Sequence, residues 1–531
     1  MAYGARLESV LGATPREFES RILRHARPVL ARRSWRSAIA SPAQAPPARE
    51  ESSGRVAARY VAPALLCLSF AAIAVTQLLG PSATEAPLGA NDNGATPPWH
   101  ASTSPSPWLV SGLLALAVAA GVATLWLGLT GRWRPRPKRV IAASALAVGV
   151  LGLLAPIGSA DPLSYAAYGR MVTTGHDPYT TAPSSLAATD PVERAVEIPW
   201  QHTPSVYGPV ATAEQALASK LAGRNVALTI LLLDLVGAVV FIATALLLYR
   251  IAPTDEVRLR GALLWTANPL LWLQLVAGAH LDVLAAGAVL AAVAIAVRSR
   301  IAAGALVGVA VSIKAPTALV WVALAWAARR SRRAVAALTA GALVVAGVGY
   351  GVAGAGAFRE LNRASRQVSL ATPWRLVSDL TDPAFGHGAS RRVIGALAFV
   401  VFVAVVVALH RLNPEVRGGS PTALAFALSL AYVLSAPYTL PWYDAVPWVL
   451  LPLLATSRLD ALLAAHTAVL SLAYIPGRAA YRLTGAMHAV AFGMRDAVSP
   501  IVLIALLLAL AAASTRHASR PASLAPPRSP G

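Results

Sequence analysis

Two charged residues stand where an apolar chain should not carry them. Asp161 follows the apolar run that ends "LGLLAPIGSA", and Lys314 lies in the middle of "IAAGALVGVAVSIKAPTALVWVALAWA". An aspartate at the end of a membrane-length segment faces both headgroups and water, so its carboxylate could serve as a general base that takes a proton from a hydroxyl. The pair Asp161-Pro162 is also the N-cap and N1 signature of a helix, and one residue can cap and catalyse. A lysine inside an apolar stretch costs about 2.5 to 3.5 kcal/mol at a helix centre, which makes Lys314 a functional candidate with a named partner to find. That partner is an internal carboxylate, Asp282 or Asp234, or a buried phosphate of a ligand.

The polar stretches around these two supply the groups that could hold a substrate. "SADPLSYAAYGRMVTTGHDPYTTAP", Ser159 to Pro183, offers Tyr165, Arg170, Asp177 and Tyr179. "PWQHTPSVYGP" offers Trp200, His202 and Tyr207, "GAHLDVL" offers His280 and Asp282, and "PYTLPWYDA" offers Trp442, Tyr443 and Asp444. Each has a plainer use as well. Gly-His-Asp-Pro around Asp177 is turn chemistry. Asp190 with Glu193 three positions on reads as a capping box. Tryptophan and tyrosine collect at membrane boundaries in any case. Isolated histidines such as His202 have no ligand spacing, so no metal is expected.

The elements that must position these groups are membrane helices. Of 531 residues, 56% are hydrophobic and 13% charged, against roughly 25% charged in soluble domains. Tyr60 to Leu79, Trp108 to Thr130, Val140 to Ile157, Val226 to Leu248 and Val393 to Leu409 approach or exceed the roughly 20 residues that cross a bilayer core. The formal charge of +21 lies in clusters beside these runs, as in "RWRPRPKR" and "RRSRR". The positive-inside rule accounts for that arrangement, and nucleic acid is not an expected partner. With the basic clusters inside, a basic tail (1–57) and the end of the chain (515–531) are cytoplasmic and expected to be disordered, flanking a multi-span region (58–514). A long polar segment precedes the first apolar run, so a retained span after Arg59 is expected rather than a cleaved signal. The single cysteine, Cys67, allows no internal disulfide.

Among the outward segments of this topology are two large loops, 159–224 and 354–391, beside the short loop Pro81 to Pro107 and outer turns at "SAPYTLPWYDA" and "IPGRAAYRLTGAMHAVAFGMRD". The loop 354–391 holds Arg359, Arg363, Arg366, Arg375 and His387, basic charge that orientation does not call for and that could meet an anion. "LLWTANPLLWLQLVAGAHLDVLAAGAVLAAVAIAV" is too long for one span and breaks at Asn268-Pro269. A short helix, a turn near His280 and a descending helix are expected there, followed by two short helices that meet at Lys314. Further spans start near Val335, Val393, Ala423, Ala445, Ala461 and Pro500.

Taken in order, "DPLSYAAYGRMVTTGHDPYTTAP", "PWQHTPSVYGP", "NPLLWLQLVAGAHLDVL", "GVAVSIKAPTAL" and "SAPYTLPWY" resemble the actinobacterial polyprenol-phosphate-mannose-dependent alpha-1,6-mannosyltransferases of the MptA/MptB type, from about Ser159 to Tyr443. The resemblance implies an all-α polytopic integral membrane protein of GT-C architecture, with roughly 12–14 membrane helices and a large outer loop. It implies transfer of mannose, with inversion, from polyprenyl-phosphate-mannose to an alpha-1,6-mannan glycolipid outside the cell membrane. In that family the acidic residue opening the first large outer loop is the catalytic base, here Asp161; the paired acid of many GT-C enzymes is replaced by Pro162. Lys314, Arg363 and Arg366 are then candidates for the donor phosphate, and no cofactor is expected. The competing readings are a secondary transporter or flippase, a polymer-assembly partner and a GT-C transferase of another sugar. Polar groups gathered in outward loops rather than at the midplane favour the enzyme.

Overall fold

The computed structural model describes residues 48–89, 94–198, 200–478 and 481–518. Most of the two expected tails, up to residue 47 and from residue 519, lies outside the described residues. The chain divides into two compact units, 1–54 and 55–531. Residues 48–54 of the first are helical; the spans and the site belong to the second.

The protein is an all-helical polytopic membrane protein. In chain order the helices of ten residues or more are α1 (Ala57–Leu78), α2 (Pro107–Leu129), α3 (Pro137–Leu151), α4 (Asp161–Thr173) and α5 (Pro209–Ala222). They continue with α6 (Val226–Ile251), α7 (Asp282–Ile295), α8 (Arg300–Val311), α9 (Ala318–Ala327) and α10 (Arg332–Ala364). The last are α11 (Pro373–Phe385), α12 (His387–Leu412), α13 (Pro421–Ser435), α14 (Arg458–Ala473) and α15 (Ser499–Ala518). Among the described residues six helices are long and apolar enough to cross a membrane: α1, α2, α6, α10, α12 and the stretch Gly485–Arg516, which takes in most of α15. Four more apolar helices, α7, α8, α13 and the Ala315–Ala327 segment, are shorter.

The sequence expected an unbroken span over Val140 to Ile157, yet α3 ends at Leu151. Pro156 lacks an amide hydrogen and disfavours helix in the residue before it, so the chain leaves the helix within "LGLLAPIG". Its freed backbone groups are paired elsewhere. Trp99 donates to the Leu153 carbonyl at 2.9 Å, Gly158 donates to Thr84 at 2.9 Å, and Ile157 donates to Ala277 at 2.8 Å. The loop after α1 therefore buttresses the segment that delivers Asp161, and the same segment is stitched to the chain just before His280. These contacts give the only extended pairing among the described residues, isolated bridges joining Glu85 to Ile157 and Trp99 to Leu154.

A second difference concerns α10, expected to end near Val352. It runs on to Ala364 across a break at Gly354, whose φ of 76° lies in the left-handed region that glycine adopts without steric penalty. Its membrane half packs on α8 with the backbones nearly touching: a Cβ on Gly304 would lie 1.9 Å from the Leu338 carbonyl oxygen, and one on Gly341 would lie 2.1 Å from that of Ile301. Glycines at four-residue spacing, Gly304 and Gly308, form the face that permits this approach. The central core gathers around the buried side chains of Trp265, Trp272, Phe426 and Trp448.

Candidate functional site

Asp161 opens α4 as its first residue; Ala160 is the N-cap and makes no side-chain capping bond. The capping expected of Asp161 is therefore corrected. Its backbone amide donates to Ser159 Oγ at 3.0 Å, which leaves the carboxylate for other duty. Burial pushes that carboxyl up to about 6, against the opposing pull of the Lys314 ammonium. A carboxylate so placed is a stronger base than an ordinary one and still ionised near neutral pH.

Lys314 stands in the turn between α8 and the short helical turn Ala315–Thr317, where the sequence put the junction of two short helices. Its Nζ lies 2.6 Å from Asp282 Oδ1 and 3.6 Å from the centroid of the Tyr443 ring. Of the two carboxylates considered for it, the structure selects Asp282. Asp234, on α6, is buried with no hydrogen-bond partner for either oxygen.

The loop 206–209 carries Tyr207 onto this turn. Gly208 donates to the Ile313 carbonyl at 3.3 Å and Val210 to that of Ser312 at 2.9 Å. A Cβ at Gly208 would fall 2.3 Å from the Ser312 oxygen, so only glycine allows the approach. Tyr207 packs edge-on against Tyr165 of α4 with ring centroids 5.0 Å apart.

Asp161, Tyr207, Lys314 and Tyr443 line one cavity of about 510 Å³. Its walls also take Trp200, Leu361 and Gln367 beyond the Gly354 break, and Tyr432 and Tyr438 around the end of α13. One side is formed by Phe399 and Phe402 of α12, and Phe399 is 66% exposed on the membrane-facing surface of that helix. The cavity thus spans from a polar end to a hydrocarbon-facing one.

His280 sits behind Asp161, buried, with its Nε2 3.9 Å from Asp161 Oδ2. Its ring stacks on Trp442 with centroids 3.6 Å apart. Trp442 therefore serves the site through His280 and does not face the cavity.

Other predicted residues are occupied elsewhere. Arg170 pairs with Asp190 at 2.9 Å, and Asp190 caps its short helix through the Val192 amide at 3.0 Å. Glu193 contributes no return bond, so the cap is not the box the sequence suggested. Asp177 accepts from the Tyr179 amide at 2.9 Å and from Thr180 Oγ1 at 2.8 Å, a turn role. Tyr179 is buried with its hydroxyl 2.8 Å from Thr212. His202 is exposed, 3.3 Å from Ser184 Oγ. Asp444 is turned inward to Thr467 Oγ1 at 2.5 Å and His466 Nδ1 at 2.9 Å, which anchors the 437–445 turn to α14 rather than lining the cavity. Arg363 is exposed beside Glu360 at 3.8 Å, and neither it nor Arg366 is among the cavity walls. Among the described residues no three His, Cys, Asp or Glu side chains gather as a metal site would require.

Residues 66–330 match the family described as alpha-(1->6)-mannopyranosyltransferase, N-terminal domain. The chain belongs to this family across that half of its length. Two curated relatives are named alpha-(1->6)-mannopyranosyltransferase A. The one from Corynebacterium glutamicum is 29% identical over 240 residues, 40% of this chain and 48% of the relative. That from Mycobacterium tuberculosis is 29% identical over 274 residues, 46% and 52% respectively. A probable alpha-(1->6)-mannopyranosyltransferase of Mycolicibacterium smegmatis is 31% identical over 191 residues, 34% of this chain and 33% of the relative. The chain thus spans about half the length, or less, of the curated relatives it matches. No solved structure matches. The matched family region contains Asp161, Tyr207, His280, Asp282 and Lys314, while Tyr432, Tyr438, Trp442 and Tyr443 come from beyond it.

Proposed function

We propose that this protein is a membrane mannosyltransferase that moves mannose from a polyprenyl-phosphate donor to an alpha-1,6-mannan acceptor at the outer face of the cell membrane. The observation that carries the reading is the single cavity with a half-buried carboxylate, Asp161, and a half-buried ammonium, Lys314, on its walls and membrane-facing phenylalanines on one side. A lipid-linked sugar phosphate has matching parts in that order: a prenyl chain for Phe399 and Phe402, a phosphate for Lys314, and a sugar between Lys314 and Asp161. The family membership and the names of the relatives supply the sugar and the linkage.

In this mechanism an acceptor hydroxyl donates its proton to Asp161 as its oxygen bonds to the anomeric carbon. The bond from that carbon to the phosphate oxygen breaks on the opposite face, which inverts the centre. The electron pair leaves with the phosphate, and Lys314 stabilises the charge that develops there. Asp282 neutralises Lys314 when the donor is absent, so no unpaired ammonium has to be kept inside an apolar protein. Tyr165, Tyr207 and Tyr443 shape the sugar end; Arg363 and Arg366, on the exposed side of the segment that lines the cavity, would meet the phosphate only from outside it.

The test is transfer by the purified, reconstituted protein from radiolabelled polyprenyl-phosphate-mannose to a short alpha-1,6-mannoside. Wild-type product, with a loss of about 10² to 10⁴ in Asp161→Asn, is expected. Movement of lipid or sugar across the vesicle without any glycosidic product would replace the enzyme reading by the transporter one.

A further inference from the structure

His280 is built into place with more care than a packing residue needs. Its Nδ1 lies 2.5 Å from the Gln274 carbonyl oxygen; since a carbonyl only accepts, Nδ1 carries the hydrogen and donates. That bond fixes the tautomer of the neutral ring and leaves Nε2 as a bare lone pair. Nε2 is buried, has no hydrogen-bond partner, and is the nitrogen that points toward Asp161 Oδ2. The backbone bends to achieve this. Ala279 has a φ of 49°, the one non-glycine residue in the left-handed region among the described residues. A Cβ on Gly278 would come within 2.6 Å of His280 Nδ1. Strain of about 1–3 kcal/mol at such a residue persists where the surroundings enforce it, and it clusters at functional sites. Stacking on Trp442 then closes the remaining freedom of the ring.

We propose that His280 is a positioning residue whose bare Nε2 takes the hydrogen bond of protonated Asp161 and so sets the basicity of that carboxylate. The inference rests on Asp161 being the base of the proposed reaction, and it adds what receives the proton's bond once Asp161 has taken it. Two acceptors, the carboxylate and Nε2, face each other across 3.9 Å in the resting site. A small rotation of the carboxyl closes that gap once a proton is present. As the acceptor oxygen bonds to the anomeric carbon and the phosphate departs with its electron pair, the hydroxyl proton passes to Asp161. The new carboxyl O–H then donates to Nε2. A hydrogen bond available only to the protonated form favours that form and makes Asp161 the stronger base. The other groups that act on Asp161 are Lys314, Asp282, the Ser159 hydroxyl, and the tyrosines Tyr165, Tyr168, Tyr207 and Tyr438. Asp282 is also an acceptor, but its Oδ1 takes the Lys314 ammonium at 2.6 Å; His280 Nε2 is the neutral acceptor aimed at Asp161, with the ring hydrogen held by the Gln274 carbonyl.

The variant that isolates Nε2 is His280→Phe, which keeps a flat ring against Trp442; His280→Leu serves if phenylalanine is not accommodated. The Asp161 carboxyl is followed by pH-difference infrared spectroscopy of the reconstituted protein, its band assigned by subtraction of Asp161→Asn. The protonation midpoint is expected to fall by about one pH unit in the His280 variant, and an unchanged or raised midpoint would overturn the proposal. This readout does not depend on turnover, so it stands or falls separately from the transferase reading. Where transfer is measurable, kcat is expected to fall about tenfold with the donor KM nearly unchanged, and the acidic limb of the pH profile to move in the same direction as the infrared midpoint.

Discussion

At the residue scale, the protonation of Asp161 sets the pH range in which the site can work. The carboxyl is raised to about 6 by burial, so the base is ionised above that pH and protonated below it. Initial rates of transfer are expected to fall with an acidic limb centred near pH 6 and not to fall, on account of this group, on the alkaline side. Lys314 makes a separable prediction. Lys314→Ala should raise the donor KM and also lower membrane yield, because it strands the buried Asp282; breaking a buried pair from one side costs about 3–5 kcal/mol. The double variant Lys314→Ala, Asp282→Asn should recover the yield without recovering donor kinetics, and recovery of both would make the pair purely structural. Asp161 and Lys314 were legible in the sequence because each breaks an apolar pattern. The absence of the expected capping role at Asp161 and the inward turn of Asp444 were not foreseen, since both depend on which neighbour the backbone brings near.

Elements determine whether these residues meet. The loop 206–209 docks on the turn before Lys314 through backbone bonds from Gly208 and Val210. A methyl group at Gly208 has no room beside the Ser312 oxygen, so Gly208→Ala should push Tyr207 and Lys314 apart. A loss of about 10² in transfer is expected from such a displacement, with membrane insertion measured by protease protection unchanged. The junction at Lys314 and the break at Asn268-Pro269 could be read from sequence because proline and an intramembrane charge mark them. The bonds from the 151–158 segment to Thr84, Trp99 and Ala277 could not, for backbone pairing in an irregular stretch leaves no side-chain pattern. The same holds for the continuation of α10 past Gly354, where "GVAGAGAFRELNRA" loses its apolar period while the helix carries on to line the cavity.

For the whole molecule, the proposed orientation is open to direct measurement. In a Cys67→Ser background, a cysteine in place of exposed Ser184 should react with an impermeant maleimide on intact cells, and one in place of exposed Arg330 should react only after permeabilisation. The reverse pattern would place the cavity on the cytoplasmic side. Membrane character and helical class were plain from composition, whereas the assembly of the site from distant stretches was not. That assembly is clearest at Arg478, which donates to Glu197 at 2.5 Å and to the Ser82 carbonyl at 2.6 Å, while Gly477 lies against the backbone of Gly158. A turn near the end of the chain thus clamps the stretch that leads into Asp161, far from the matched region that contains it. The two halves are therefore expected to depend on each other for the shape of the site. A hybrid that joins residues 66–330 of this protein to the remainder of a relative about 30% identical would carry Asp161, His280 and Lys314 intact and still mismatch the surfaces that close around them, so recombination within the family should succeed only where both sides of that seam change together.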